Sequence, residues 1–352
     1  RFSAEKQLSI VTILRDENGI AYLNQYGDVS TFDNLGTFDF NIIGTEGQLL
    51  FYPTKFQFND YNISLISHRI EDSIAGIGTT DLGDAVKIFS STTSMPTGFS
   101  TSRTIASFSA DSYTGAKIIV QYESDDKSYI EFDELSVVHN HDGGYDVDLI
   151  EYGQLISEVS VPSSAGLGTY SAYMYPQGSG PQTVNVDFHP NVALAITHHA
   201  NAIAVAIGNT AVSGVGTFDM PTARLESFST PIVSGATTIS SYTSNQFDCA
   251  YCIACLSGPG TAAGIVEFNI VSNSIDAYIS EFGNVDMPSG IDHGSFSAQL
   301  SGGNTELLFT PSGSSSITHI TVFQQALRLV DTGNTNTVID LDKIGRASCR
   351  ER

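Results

Sequence analysis

Three of the four cysteines lie close together, in the stretch DCAYCIACLSG at 248 to 258. Cysteines spaced three residues apart are typical of zinc and iron–sulfur sites, where four ligands converge on the metal. The residues between them are Ala-Tyr and Ile-Ala, without the glycine-containing turn that such a site needs. On a strand, Cys252 faces away from Cys249 and Cys255, which lie roughly 20 Å apart at about 3.3 Å per residue. The sequence predicts three buried apolar side chains and no metal site.

The stretch HNHDGGYDVD at 139 to 148 also contains metal-binding residue types. The candidate ligands for Ca²⁺ or a transition metal, if the loop folds back on itself, are His139, His141, Asp142, Asp146 and Asp148. Corresponding stretches elsewhere, RDENGIAY and SNSIDAY, keep the turn but not these ligands. We interpret the stretch as a hairpin turn, and a metal-binding loop stays open as the alternative.

His198 and His199, in ITHHANAIAVAIG, are further candidates for a metal ligand or a general base. No carboxylate motif such as H-E-x-x-H accompanies them, and adjacent residues on a strand face opposite ways. We interpret them as core or surface histidines. The chain also lacks a G-x-S-x-G nucleophile motif, a P-loop and a dinucleotide fingerprint. We therefore predict no catalytic, cofactor-binding or metal-binding residues, no cofactor and no enzymatic activity.

Composition and charge narrow the class of protein and its partners. Of the 352 residues, 41% are hydrophobic and 15% are charged, and the abundance of Ser, Thr, Gly and β-branched residues favours strands over helices. Fifteen basic residues against 38 acidic ones give a net charge of −23, which repels nucleic acid and anionic membrane surfaces. No apolar run approaches the roughly 20 residues that a membrane helix needs. We expect no nucleic-acid partner and no membrane insertion.

An internal repeat organises the elements that would position these residues. QYG at 25–27, EYG at 151–153 and EFG at 281–283 each lead to a GTF-like segment and then to a segment that ends in proline. The GTF-like segments are LGTFDF, LGTYSA and HGSFSA, and the segments before proline are GQLLFYP, VNVDFHP and TELLFTP. A second block, 104–121, matches 238–255 without gaps and sets the period at 134 residues.

Alternation of apolar and polar residues assigns strands to these segments. The predicted inward residues of the GTF-like segments are Phe38, Phe40, Ile42, Tyr170, Ala172, Met174, Phe296, Ala298 and Leu300. Each proline ends its strand because it cannot donate a hydrogen bond to a neighbouring strand. Turn signals such as Gly302-Gly303 separate the strands, and no segment has the period of an amphipathic helix. We predict an all-β fold of tandem β-sandwich or jelly-roll-like repeats of about 134 residues.

The period divides the chain into a truncated first β repeat at 1–109, a complete second at 110–243 and a third at 244–343. The first copy lacks the strand that GAKIIVQ supplies in the second, so we expect a fragment of a longer protein. The last stretch, 344–352, reads IGRASCRER and matches no part of the repeat. It resembles one reading frame of a sequencing adapter. We interpret it as an artefact, which removes Cys349 as a fourth metal ligand.

The succession YTGAKIIVQ, DELSVVHNHDGGYDVDLIEYG, LGTYSA and FHP resembles repeats in virion structural proteins of marine tailed phages, including phages of cyanobacteria. The resemblance covers nearly all of residues 1–330 and departs from the family form at Gln25, Cys252 and Phe282. It implies a component of the virion, in the tail or its fibres, that is assembled in the host cytoplasm and acts outside the cell. It carries over no catalytic residues.

Three classes of function follow as hypotheses. The first is a non-enzymatic structural protein whose tandem repeats form a tail, fibre or surface projection and contact other virion proteins or copies of itself. The alternative is an adhesin module that binds a receptor or glycan on the host surface, because sandwich loops often carry recognition and the 15 tyrosines suit sugar stacking. A polysaccharide-degrading tailspike is the third, and it needs a carboxylate pair in one copy that the other copies lack.

Overall fold

A computed structural model of the chain consists of 22 strands, with no helix among the residues it describes, and confirms the predicted all-β fold. The structure describes residues 5–15, 20–31, 33–43, 46–54, 63, 65, 79–82, 85–140, 145–156, 166–176, 180–208, 216–219, 223–260, 262–273, 275–288 and 291–327. The predicted adapter-derived tail at 344–352 lies outside these residues. None of the described segments is a helix that could cross a membrane.

Four strands form two antiparallel hairpins, which we call the N-terminal hairpins. Their bounds are Gln7–Arg15 for β1, Ala21–Ser30 for β2, Gly36–Ile43 for β3 and Glu46–Pro53 for β4. In β3 the predicted inward residues Phe38 and Phe40 are half-buried, while Thr37, Asp39 and Asn41, which alternate with them, are exposed. The alternation predicted from the sequence therefore sets which face of this hairpin packs against the molecule.

The next nine strands form a two-layer sandwich, which we call the middle sandwich. Its strands are β5 Thr79–Leu82, β6 Val86–Met95, β7 Arg103–Ser109, β8 Tyr113–Ser124, β9 Ile130–His139, β10 Val147–Ile156, β11 Gly168–Tyr175, β12 Thr183–Pro190 and β13 His198–Gly208. The larger sheet has the order β10-β9-β8-β13-β6-β5, and the smaller has the order β11-β12-β7. Apolar side chains from both sheets, among them Val120, Val186 and Phe188, enclose one core.

The last nine strands form a second two-layer unit, which we call the C-terminal sandwich. Its strands are β14 Thr217–Asp219, β15 Ala223–Pro231, β16 Thr237–Thr243, β17 Cys249–Ser257, β18 Ala263–Ser272, β19 Ala277–Met287, β20 Gly294–Ser301, β21 Asn304–Pro311 and β22 His319–Leu327. The larger sheet has the order β14-β15-β22-β17-β18-β19, and the smaller has the order β16-β21-β20. Each strand of the middle sandwich thus has a counterpart nine strands later with the same neighbours.

Local sequence signals explain several of these strand ends. β4, β12 and β21 end at the prolines that the sequence predicts as strand ends. Gly302 and Gly303 join β20 to β21 with φ values of 57° and 87°, which glycine adopts without the steric penalty of a side chain. Two further turn signals of the sequence, the dipeptides Asn18-Gly19 and Asp142-Gly143, lie outside the described residues.

The two six-stranded sheets pack face to face. Their shared apolar cluster includes Val86, Val138, Val205 and Ile207 from the middle sandwich and Leu225, Ile253, Cys255, Ile265 and Phe323 from the C-terminal sandwich. The hairpin of β1 and β2 contacts β9, β10, β18 and β19 beside this interface. Strands β5 to β22 therefore form four stacked sheets, with the hairpin of β1 and β2 set against the two inner ones.

The sandwiches are offset from the repeat boundaries predicted at 109 and 243. Strands β5, β6 and β7 lie before residue 110, yet they hydrogen-bond in the same two sheets as β8 to β13. Likewise, β14, β15 and β16 lie before residue 244 and belong to the C-terminal sandwich. A repeat period can be counted from any residue. The offset therefore changes only the residue at which each unit is taken to begin. The repeat and its boundaries stay predictions.

Candidate functional site

Three hairpins with the same irregularity meet at one place in the molecule. In the hairpins β1–β2, β9–β10 and β18–β19, the second strand contains one extra residue, which makes a β-bulge. Each bulge holds a glycine with positive φ, which is 66° at Gly27, 70° at Gly153 and 62° at Gly283. These glycines are the third residues of the repeated segments QYG, EYG and EFG.

A buried ionic cluster lies where the hairpins meet. The Nζ atom of Lys117, on β8, is 2.5 Å from Glu134 Oε2 on β9 and 3.0 Å from Glu267 Oε1 on β18. The exposed fractions of the three side chains are only 4%, 4% and 0%. An unpaired charge at this depth would cost several kcal/mol, so the mutual pairing is what permits the burial.

Hydroxyl groups complete the hydrogen bonding of both carboxylates. Tyr26 and Thr12, from the first hairpin, donate to Glu134 Oε1 at 2.5 and 3.0 Å. Tyr251 donates to Glu267 Oε2, and Ser136 donates to Glu267 Oε1 at 3.4 Å. Tyr26 and Thr12 come from the hairpin of β1 and β2, Ser136 from the middle sandwich and Tyr251 from the C-terminal sandwich. The cluster therefore joins three parts of the chain.

Tyr152, on β10, holds the side chain of Lys117 in place. Lys117 donates a hydrogen bond to the hydroxyl of Tyr152, and its Nζ atom lies 4.0 Å from the centre of that ring. A cation over an aromatic face is attracted by the negative potential of the ring. The ammonium group of Lys117 therefore contacts Tyr152 as well as the two carboxylates.

The bulge glycines allow the close approach of the surrounding atoms. A Cβ atom on Gly283 would lie 2.9 Å from Glu267 Oε1 and 3.2 Å from the Tyr152 hydroxyl. A Cβ atom on Gly27 would lie 2.7 Å from the side-chain nitrogen of Asn269, which donates to the Gly27 carbonyl oxygen. A side chain at either position would push the hairpins away from the cluster.

Burial sets the protonation of the cluster. It raises the pKa of Glu267 to about 7, although the charge of Lys117 works in the opposite direction. Burial alone would lower the pKa of Lys117, but the carboxylates of Glu267 and Glu134 outweigh it and raise that pKa. Burial also raises the pKa values of Tyr26 and Tyr251, so both hydroxyls stay protonated and act as donors. At neutral pH the cluster therefore holds an ammonium group beside a carboxyl that is readily protonated.

A second group of carboxyls lies at one edge of the middle sandwich. Glu131 and Asp133 alternate on β9, and they accept hydrogen bonds from the hydroxyls of Tyr129 and Tyr170 respectively. Burial and the charge of Glu131 raise the pKa of Asp133 to about 8. The matching positions of β18, by register with β19, are Gly264 and Val266. The pair is therefore confined to the middle sandwich, and its exposed fractions are 1% and 0%.

The three cysteines of β17 are buried in three different apolar clusters. Cys252 lies in the core of the C-terminal sandwich, Cys255 lies between the two large sheets, and Cys249 packs near Leu8 and Val271. All three are free thiols, and burial raises the pKa of Cys249 and Cys252 to about 12. Their sulfur atoms do not converge, because neighbouring cysteines of the set point to opposite faces of the strand.

The histidine-rich hairpin is only partly described. His139, at the end of β9, is buried, and its Nε2 atom lies 2.5 Å from the Tyr113 carbonyl oxygen. Asp146 accepts a backbone hydrogen bond from Asn140 through its carbonyl oxygen, as expected of a turn. His141 and Asp142 lie outside the described residues. Within the described part of the chain, no group of three or more His, Cys, Asp or Glu side chains is placed to hold a metal ion.

His198 and His199, on β13, have different surroundings. His198 is buried beside Tyr129, with its Nδ1 atom 3.0 Å from the Ile196 carbonyl oxygen. Burial lowers the pKa of His198, so it stays neutral near pH 7. His199 is more exposed and lies 2.8 Å from Asp125 Oδ1. The strand separates the two rings, which do not form a joint site.

Sequence reasoning did not single out Lys117, Glu134 or Glu267. A signal was present for two of them, because Lys117 and Glu267 are charged residues within the apolar runs GAKIIV and GIVEFNIV, whereas Glu134 shares its strand with Glu131 and Asp133. A long charged side chain in such a strand is rarely buried unless it is paired. The pairing itself joins residues 150 positions apart, and no local pattern indicates that.

No protein-family model, no curated protein and no solved structure matches this chain. Its function is therefore inferred from its own residues and their arrangement.

Proposed function

We propose that this chain is a non-enzymatic structural component of a tailed-phage virion, located in the tail, a fibre or a surface projection. The resemblance of the repeat to virion proteins supports the location, and the main support for a structural role is that three parts of the chain close over one sealed ionic cluster. Buried, paired charged groups thus join the units of the chain. Its partners are other virion proteins or copies of itself.

The interface between the sandwiches supports the same role. Ile253 and Phe323 of the C-terminal sandwich are at most 1% exposed, and they belong to one apolar cluster with Val138 and Ile207 of the middle sandwich. Packing of this kind resembles the core of a single domain and resists relative motion of the units. Closely packed sheets of this kind suit a structural part of a particle.

Proteomics of purified particles tests the proposed location. Marine virus particles from a sample that contains this gene would be separated on a density gradient and digested for mass spectrometry. We expect peptides of the chain, such as 88–103, to co-sediment with capsid and tail peptides. Peptides found only in the soluble fraction, with capsid peptides absent there, would contradict the proposal.

A glycan-binding role is the second candidate, and one surface favours it. On the outer face of the three-stranded sheet of the middle sandwich, Tyr173 and Tyr175 are 41% and 64% exposed. Asn185 lies directly opposite Tyr173 in the sheet, so a polar amide stands beside an exposed ring. Rings with neighbouring polar groups can stack on sugars while hydrogen bonding to their hydroxyls.

A glycan array on the soluble chain tests this second role. If the surface binds sugar, Tyr173→Ala and Tyr175→Ala should each weaken binding by about two- to tenfold, since an aromatic contact contributes about 0.5–1.5 kcal/mol beyond its area. Tyr52→Ala is the matched control, because Tyr52 is 52% exposed on another hairpin. Equal loss in all three variants, or no binding by the unaltered chain, would remove this candidate.

A further inference from the structure

We propose that Lys117 and Glu267 condense to an amide, an intramolecular isopeptide bond, with Glu134 as the proton acceptor. The bond would join β8 of the middle sandwich to β18 of the C-terminal sandwich. It would convert the ionic cluster into a covalent link between the two units.

The positions of the three groups support this reaction. Lys117 Nζ is 3.0 Å from Glu267 Oε1 and 2.5 Å from Glu134 Oε2, and no side chain of the three is more than 4% exposed. Held groups of this kind react as if their concentration were roughly 10⁵–10⁸ M, because the entropy of bringing them together has already been lost on folding. The folded chain thus replaces the activating agent that amide formation needs in solution.

The hydrogen bonds assign different roles to the two carboxyls. Glu134 accepts hydrogen bonds from Tyr26, Thr12 and Lys117, so one of its oxygens lies where it can take a proton from the lysine, and we assign it as the base. Burial raises the pKa of Glu267 to about 7, so a substantial fraction of this carboxyl is protonated at neutral pH. A protonated carboxyl is the electrophile, because hydroxide is a poor leaving group from a carboxylate.

The step balances without any further reactant. Glu134 takes one proton from the Lys117 ammonium group, and the neutral amine attacks Cδ of the Glu267 carboxylic acid. The Nζ–Cδ bond forms while the bond from Cδ to the hydroxyl oxygen breaks, and a second proton from nitrogen leaves with that hydroxyl as water. Glu134 keeps the proton that it accepted. The products are neutral, so two buried charges are removed, and this favours the reaction in a medium of low dielectric constant.

The link depends on the folded state and on both sandwiches. The two residues are 150 positions apart in sequence and meet only when the large sheets pack together. Once formed, the bond would restrict the unfolded chain in the way that a disulfide does across a long loop. It would also carry load between the units directly through a covalent bond.

Intact mass spectrometry of the full chain tests the proposal. We expect the folded protein to be lighter than its sequence mass by one water, about 18 Da. Trypsin should fail to cleave after Lys117, because its amine is acylated, and should yield peptide 104–127 joined to peptide 225–328. A folded protein at its full sequence mass would overturn the proposal, and a link mapped to Glu134 would overturn the choice of acceptor.

Three variants separate the bond from a simple ion pair. Lys117→Arg lacks the nucleophilic amine and Glu134→Gln lacks the base, so both should fold and show their full sequence masses. Lys127→Arg is the matched control: Lys127 Nζ lies 2.9 Å from Glu123 Oε1, yet its side chain is 50% exposed. It should keep the loss of one water. The same loss in Lys117→Arg would place the bond elsewhere and contradict the assignment.

Discussion

At the scale of single residues, burial decides the chemistry of this chain more than residue type does. Asp133 and Asp126 are both aspartates near the middle sandwich, yet their pKa values shift in opposite directions. Burial raises the pKa of Asp133 to about 8, whereas hydrogen bonds from Ser128 lower the pKa of Asp126. The first carboxyl is neutral in the folded state at pH 7, and the second is ionised.

This difference predicts how stability depends on pH. Because the pKa of Asp133 is higher in the folded chain than the ordinary value of about 4, its protonated form stabilises the fold fully below pH 4. That contribution is lost as pH rises from about 4 to 8, at up to about 1.4 kcal/mol per pH unit. Asp133→Asn should remove this part of the slope in denaturant unfolding measured between pH 5 and 9.

Asp126→Asn is the control for that measurement. Since the pKa of Asp126 lies below its ordinary value, the group is ionised in both states above pH 5. Its replacement should leave the slope unchanged in this range. An unaltered slope in Asp133→Asn would show that Asp133 is not protonated in the folded chain.

At the scale of strands, glycine determines how closely neighbouring elements approach. Gly115 on β8 lies beside β9 and faces β17 across the interface. A Cβ atom there would lie 2.6 Å from the Val137 carbonyl oxygen and 3.1 Å from Cys255 Sγ. The first of these neighbours is backbone of a central sheet and cannot move without disturbing the ladder.

We therefore expect Gly115→Ala to destabilise the chain by about 1–3 kcal/mol through overpacking. Gly180→Ala is the matched control, because nothing lies within 4 Å of the added Cβ atom, and its effect should stay within about 0.5 kcal/mol. Urea unfolding followed by circular dichroism measures both. Equal stability of the two variants would mean that β8 and β17 are less closely packed than the structure places them.

At the scale of the whole molecule, the two sandwiches share one apolar interface and one ionic cluster. Val205 on β13 is 5% exposed and belongs to the interface cluster, while the residues on either side of it point into the middle sandwich. Units joined in this way gain stability from each other, so neither is expected to unfold alone. The molecule should behave as one cooperative body.

Calorimetry tests this cooperativity. The unaltered chain should give a single unfolding transition, with equal calorimetric and van't Hoff enthalpies. Val205→Asp places an unpaired carboxylate in the interface and should lower the transition or divide it in two, because a buried unpaired charge costs several kcal/mol. Val192→Asp is the control, since Val192 is 67% exposed. Two transitions in the unaltered chain would contradict a shared interface.

Local patterns made much of the fold predictable. Period-two alternation located β3, β11 and β20, and proline marked the ends of β4, β12 and β21. The side-chain directions of the three cysteines were also predictable, because a spacing of three residues places Cys252 on the face opposite to Cys249 and Cys255. Each of these features depends on residues close together in the sequence, where strand geometry fixes the outcome.

Residues close together in the sequence were enough to predict the all-β class, the strand periods and the apolar character of the cysteine segment. The meeting of Lys117, Glu134 and Glu267, and the place of β5 to β7 in the sandwich of the strands after them, follow from the tertiary fold alone. A strand has two faces and two edges, and its own pattern does not say which distant segment will cover them. That choice depends on packing between units, and it turned three isolated charges into the candidate site.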